Sequence, residues 1–86
     1  MMLHKLKIKE DYANSICCED KTFEVRYNDR NYQKGDFIQF SCISRDGIPM
    51  PHDITKLTFA ITNVHSGLGM SDGYVVLAIK KIGEGV

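Results

Sequence analysis

Five short runs in this chain carry strand-like patterning and only one carries helical spacing, so the fold has to be built on a sheet. Residues 3–8 alternate, with His4, Leu6 and Ile8 on one side and Lys5 and Lys7 on the other, as expected of a strand with one solvated face. Further strands are expected over 22–27, 37–43, 54–64 and 74–82. In 54–64, Leu57, Phe59 and Ile61 alternate with Thr58, Ala60 and Thr62. The run YVVLAIKKI over 74–82 is apolar on both faces until Lys80, the pattern of a central strand covered on two sides. Between 10 and 18, Tyr12, Ala13, Ile16 and Cys17 fall at helical spacing. Glu10 and Asp11 stand in that helix's first turn, where carboxylates suit the dipole. The class is α+β, mainly β, and five strands with one short helix between strands 1 and 2 protect their edges most simply by closing into a small barrel.

The 86 residues support one domain over 1–86 with a single core, which buries roughly 60–65% of the surface the unfolded chain exposes. That leaves little material for a deep catalytic cleft. No apolar run approaches the ~20 residues needed to span a bilayer, and the N-terminal MMLHKLKIKE alternates instead of forming a signal peptide's apolar block. Cys17, Cys18 and Cys42 make an odd count, which fits a reducing, cytoplasmic compartment better than a disulfide framework. Eleven Lys plus Arg against eleven Asp plus Glu give no global field to attract a polyanion, so any such site has to be a local patch.

Residues 21–36, KTFEVRYNDRNYQKGD, are where such a patch is expected. In an extended strand Thr22, Glu24 and Arg26 share one face, and Phe23, Val25 and Tyr27 share the other. The apolar set is expected to face the core and the ionic set to face solvent. Asn28, Asp29 and Asn31 favour a turn through side-chain to backbone bonds, and Gly35 is expected to supply a positive φ before the next strand. Lys21, Arg26, Arg30 and Lys34 bring four cations around Glu24. Tyr32, in the turn, is the candidate to stack on a base, whereas Tyr27 is expected to be buried.

The helix before Lys21, the segment Lys21-Thr22-Phe23-Glu24-Val25-Arg26, the Gly35-Asp36 pair and Asp72-Gly73-Tyr74 together resemble the ASCH-type domains of the PUA-like superfamily, in particular a small bacterial and phage family of unknown function. The resemblance implies a five-stranded PUA-like pseudobarrel with a cleft beside the helix that binds RNA or a modified nucleotide. Ligand-binding residues would be Lys21, Glu24, Arg26, Arg30 and Tyr32. The chain departs from the family pattern at Glu19, usually Gly, and at Asp20, commonly basic. Glu19 removes a left-handed helix cap, at a cost of roughly 1 kcal/mol if that conformation is still needed.

An alternative implied by the resemblance is a small amidohydrolase acting on an acylated nucleoside such as N4-acetylcytidine. Related enzymes use a lysine matching Lys21, a threonine where this chain has Glu24, and a distant glutamate; here the late carboxylates are Asp72 and Glu84. With the threonine missing, only a rearranged Lys21–Glu24 acid–base pair could serve. A phage-related protein-interaction domain is the further alternative. No cofactor or metal is expected: His4, His52, His65 and the three cysteines form no chelating spacing. His4 reads as a satisfied core residue, and His52 and His65 as exposed.

Overall fold

The computed structural model describes residues 1–67 and 69–84, without the side chain of Glu84; Leu68, inside the loop expected at 66–73, lies outside the described residues. The elements are β1 (Leu3–Lys9), α1 (Glu10–Cys17), β2 (Phe23–Tyr27), β3 (Phe37–Ile43), a 3₁₀ turn (Asp53–Lys56), β4 (Leu57–Ser66) and β5 (Tyr74–Glu84). The strands form one sheet in the order β1-β3-β4-β5-β2. β1 pairs with β3 in parallel and the other pairs are antiparallel. Register shifts in β4 between Thr58 and Phe59 and between Ile61 and Asn63 bend the sheet, since an extra residue kinks its strand and raises local twist. The sheet curls into a half-barrel whose two edges, β1 and β2, approach each other. Arg26 spans that seam by donating from Nη2 to the carbonyl of Lys7.

The concave side holds the core. Leu6 and Ile8 from β1, Ile38, Phe40 and Cys42 from β3, Phe59 and Ile61 from β4, and Val75, Leu77 and Ile79 from β5 are buried together. Ala13 and Ile16 of α1 and Ile54 of the 3₁₀ turn complete it. The start expected for the fourth strand, at 54, is corrected by that turn. His52 Nδ1 accepts the Ile54 amide at 3.0 Å and the Thr55 hydroxyl donates to the His52 carbonyl at 2.8 Å, giving the backbone local partners in place of a ladder. β5 is interior to the sheet but not central, and only one of its faces is covered. Val75, Leu77 and Ile79 are buried, while Tyr74 is exposed and Val76 and Ala78 half-exposed.

Two turns fix how the site strand enters and how the next leaves. α1 ends in a Schellman motif: the Asp20 amide donates to the Ser15 carbonyl and the Glu19 amide to the Ile16 carbonyl, both at 3.0 Å. Glu19 takes the left-handed conformation this requires, with φ 62°. Before β3, Gly35 has φ 94°, and the Asp36 amide closes the turn onto the Gln33 carbonyl at 3.1 Å. The Asp36 carboxylate accepts the amides of Gln33 at 3.1 Å and Met2 at 3.0 Å. It also lies 2.9 Å from His4 Nε2, both groups being buried. His4 is thus the satisfied core residue its strand position implies. Among the described residues no helix is long and apolar enough to cross a membrane.

Candidate functional site

The two faces of β2 are the reverse of those expected from its hydrophobicity. Glu24 is 5% exposed, while Phe23, Val25 and Tyr27 are 45%, 48% and 57% exposed. The register explains the inversion. Glu24 stands opposite Leu77 and Arg26 opposite Val75, and residues directly opposite share a face, so the ionic face of β2 lies with the buried face of β5. Phe23, Val25 and Tyr27 stand opposite Ala78, Val76 and Tyr74, on the outside.

The inward charges are satisfied by each other. Lys21 Nζ donates to Glu24 Oε1 at 2.9 Å, and Arg26 donates to Oε2 from Nε at 2.9 Å, with its Nη2 2.8 Å from the same oxygen. Taking three ions out of water is unfavourable unless their bonds are complete. Here no buried side-chain nitrogen or oxygen among the described residues lacks a partner. Glu24 therefore locks Arg26 against the β1 edge on one side and Lys21 against α1 on the other.

Around Lys21 the lock opens onto a depression of about 520 Å³ lined by Tyr12, Ser15, Asp20, Lys21, Phe23, Glu24 and Val25. The Lys21 ammonium lies 4.4 Å from the Tyr12 ring centroid and 5.5 Å from that of Phe23, within the range of cation–π attraction. Both rings are exposed. The depression thus has a polar floor, with the donors of Lys21 beside an acceptor of Glu24, and aromatic flanks.

The candidate residues do not all converge. Lys21 and Glu24 line this depression, whereas Arg26, Arg30 and Tyr32 line a second one of about 420 Å³, together with Lys5, Leu6, Lys7, Tyr27 and Asp29. Tyr32, expected to be free for stacking, is buried at 3% exposure. Its ring meets that of His4 edge-on at 4.7 Å, and its amide is held by Asn28 Oδ1 at 2.9 Å. Burial also pushes its hydroxyl up from the ordinary tyrosine value of 10.0. Tyr27, expected to be buried, is instead open and paired edge-on with Tyr74 at 5.5 Å.

By their spacing Tyr12 and Phe23 belong to apolar faces, and neither stands out in the sequence as a site residue. The signal for Phe23 was its strand neighbour: a carboxylate at 24 flanked by cations at 21 and 26 can neutralise itself inside, which frees the apolar alternates to face out. No cysteine lines either depression. Cys42 is buried, Cys17 half-buried and Cys18 exposed, all as free thiols, and burial raises the first two above the ordinary value of 9.0. No cluster of three or more His, Cys, Asp or Glu side chains able to hold a metal occurs among the described residues.

Comparison with known proteins places these features in a family without an assigned activity. A family described as a domain of unknown function, DUF3850, matches residues 3–79, which include every residue lining both depressions. Among solved structures, the crystal structure of hypothetical protein PH0355 superimposes with a TM-score of 0.60 at 19% identity, over 95% of this chain and all of that one. At that identity the likeness is one of fold. No curated protein matches the sequence.

Proposed function

We propose that this chain, which belongs to the DUF3850 family, is an RNA- or modified-nucleotide-binding module that takes one base into the depression between α1 and β2. We read its half-barrel as an ASCH-type, PUA-like domain acting in the cytoplasm. The observation that carries the proposal is the Lys21 ammonium, anchored by Glu24 and set between the exposed rings of Tyr12 and Phe23. A planar base stacks on an aromatic ring of this kind, and such a contact is worth about 1–3 kcal/mol per base. Lys21 has further N–H donors to offer a base carbonyl or ring nitrogen. Glu24 Oε1, which accepts one bond from Lys21, retains a lone pair for an exocyclic amine.

Titration of the protein with nucleoside monophosphates, a mixed-sequence RNA pool and N4-acetylcytidine, followed by NMR shifts, tests this. Phe23→Ala and Tyr12→Ala are expected to weaken binding about 5- to 150-fold, the fold-change of one lost stacking contact, and Lys21→Ala to weaken it as well. No binding to any of these ligands at low salt, or binding indifferent to all three substitutions, would refute the proposal. Conversion of N4-acetylcytidine that disappears in Lys21→Ala would move the site to the amidohydrolase class.

A further inference from the structure

The second depression is unusual for a chain of zero formal net charge. It gathers Lys5, Lys7, Arg26 and Arg30 against the single carboxylate Asp29. Two of these cations come from the solvated face of β1, one from β2 and one from the turn after it, so the half-barrel's closure brings together charges that are distant in sequence. Arg26 is partly neutralised by Glu24, while Lys5, Lys7 and Arg30 are exposed and stand outside the ion pairs found among the described residues.

An aromatic pair stands at the edge of this groove. Tyr27 and Tyr74 are both exposed and meet edge-on at 5.5 Å. Gly73 holds the pair in place: a Cβ there would come 2.6 Å from Tyr27 Cε1, and its φ of 84° suits glycine. The groove and the base-binding depression are joined by the outer face of β2, on which Phe23, Val25 and Tyr27 follow one another. From Phe23 to Tyr27 is four residues, or about 13 Å at ~3.3 Å per residue, which is longer than one nucleotide unit.

Resting on the base-binding reading above, we infer that the site is bipartite and that its ligand is a single-stranded oligonucleotide, with the Lys5–Lys7–Arg30 groove holding the phosphate backbone and Tyr27 stacking a second base. A cationic track beside spaced aromatic rings is how strands are held with little regard to sequence. The separation along β2 gives the oligonucleotide contacts that a free mononucleotide lacks. A second copy of this chain covering the same apolar face is the competing occupant, and light scattering distinguishes it.

The test compares a mixed-sequence RNA hexamer, by fluorescence anisotropy, with a mononucleotide, by NMR, on the unaltered chain, on Lys5→Gln/Lys7→Gln and on Tyr27→Ala. The hexamer is expected to bind at least about tenfold tighter than the mononucleotide. Lys5→Gln/Lys7→Gln is expected to abolish that advantage and to flatten the slope of log affinity against log salt by about 1.4, at ~0.7 per lost phosphate contact on a single strand. The same variant leaves mononucleotide affinity unchanged, and Tyr27→Ala weakens the hexamer alone. Equal affinity for the two ligands, or a hexamer indifferent to the lysine pair, overturns the bipartite site while leaving the base-binding depression standing. Failure of both ligands overturns the base-binding proposal and this one with it. A dimer in light scattering that Tyr27→Ala dissociates, without hexamer binding, assigns the face to self-association and overturns the inference.

Discussion

Replacing Glu19 with glycine is expected to stabilise this protein, an uncommon direction for a single substitution. Glu19 closes the Schellman motif with φ 62°, a left-handed conformation that costs a residue with a Cβ about 1–2 kcal/mol. Against that relief, glycine gives the unfolded chain more freedom, worth about 0.4–1 kcal/mol. The carboxylate also sits at the negative end of α1, which has no basic residue in its last turn, and removing it gains about 0.3–1 kcal/mol. The balance is a gain of about 1 kcal/mol, or 4–8 °C in Tm for a domain of this size. Glu19→Ala separates the two causes, since alanine removes the charge and keeps the strain; its gain is expected to stay under about 0.5 kcal/mol and to fade in high salt. Circular dichroism melts and urea unfolding at pH 7 measure both. A glycine variant no more stable than the alanine variant would refute the backbone argument, whatever the total change.

Glu24→Gln leaves Lys21 and Arg26 without their shared carboxylate; because both cations retain some solvent access, with side chains 16% and 23% exposed, the loss is expected near 2–3 kcal/mol, below the 3–5 of a fully buried pair, as read by urea unfolding. Asp36→Asn tests the cluster under β1. The hydrogen bond from His4, followed by those from the Met2 and Gln33 amides, holds the Asp36 carboxyl below its ordinary 3.8 against the opposing effect of burial. Its stabilisation is therefore complete above that ordinary value and vanishes as pH falls through the depressed one, so the variant is expected to lose about 2 kcal/mol at pH 7 and to converge with the parent in unfolding titrations below it. Gly73→Ala drives a methyl into the Tyr27 ring and strains φ; a destabilisation of about 1–2 kcal/mol is expected, together with shifted Tyr27 and Tyr74 ring signals in NMR spectra.

β1, α1 and β3 stand where their periodicities put them, because each places apolar residues inward in the ordinary way. Glu19 takes the left-handed backbone on which its expected cost depends. β2 lies where its alternation puts it, but with its faces exchanged. Hydrophobicity alone assigns Phe23, Val25 and Tyr27 to the core. What overrides it is the pairing of Glu24 with Lys21 and Arg26, whose spacing the sequence does show, together with the register against β5, which only the fold reveals. The same reversal moved Tyr27 outward. Tyr32 went inward because His4, remote in sequence, offered a ring to pack on. The depression beside α1 is half legible: Lys21 and Glu24 stand out in the sequence, while the aromatic flanks are hidden inside apparent core faces.

The strand order also bears on when the site can exist during synthesis. β2 finds its ladder partner only in β5, with Phe23 opposite Ala78 and Tyr27 opposite Tyr74, so some fifty residues separate the two halves of the pairing. The edge it meets across the seam belongs to β1, which itself waits for β3, from Leu3 to Phe37. Closing loops of this length costs entropy before any contact rewards it, and the local β4–β5 hairpin is the cheaper early structure. In a chain emerging from its N-terminus, Lys21, Glu24 and Arg26 are made early and organised last. A nascent or truncated chain lacking β5 therefore lacks the ladder that aligns these three side chains, and the ligand recognition proposed above would have to wait for the finished sheet.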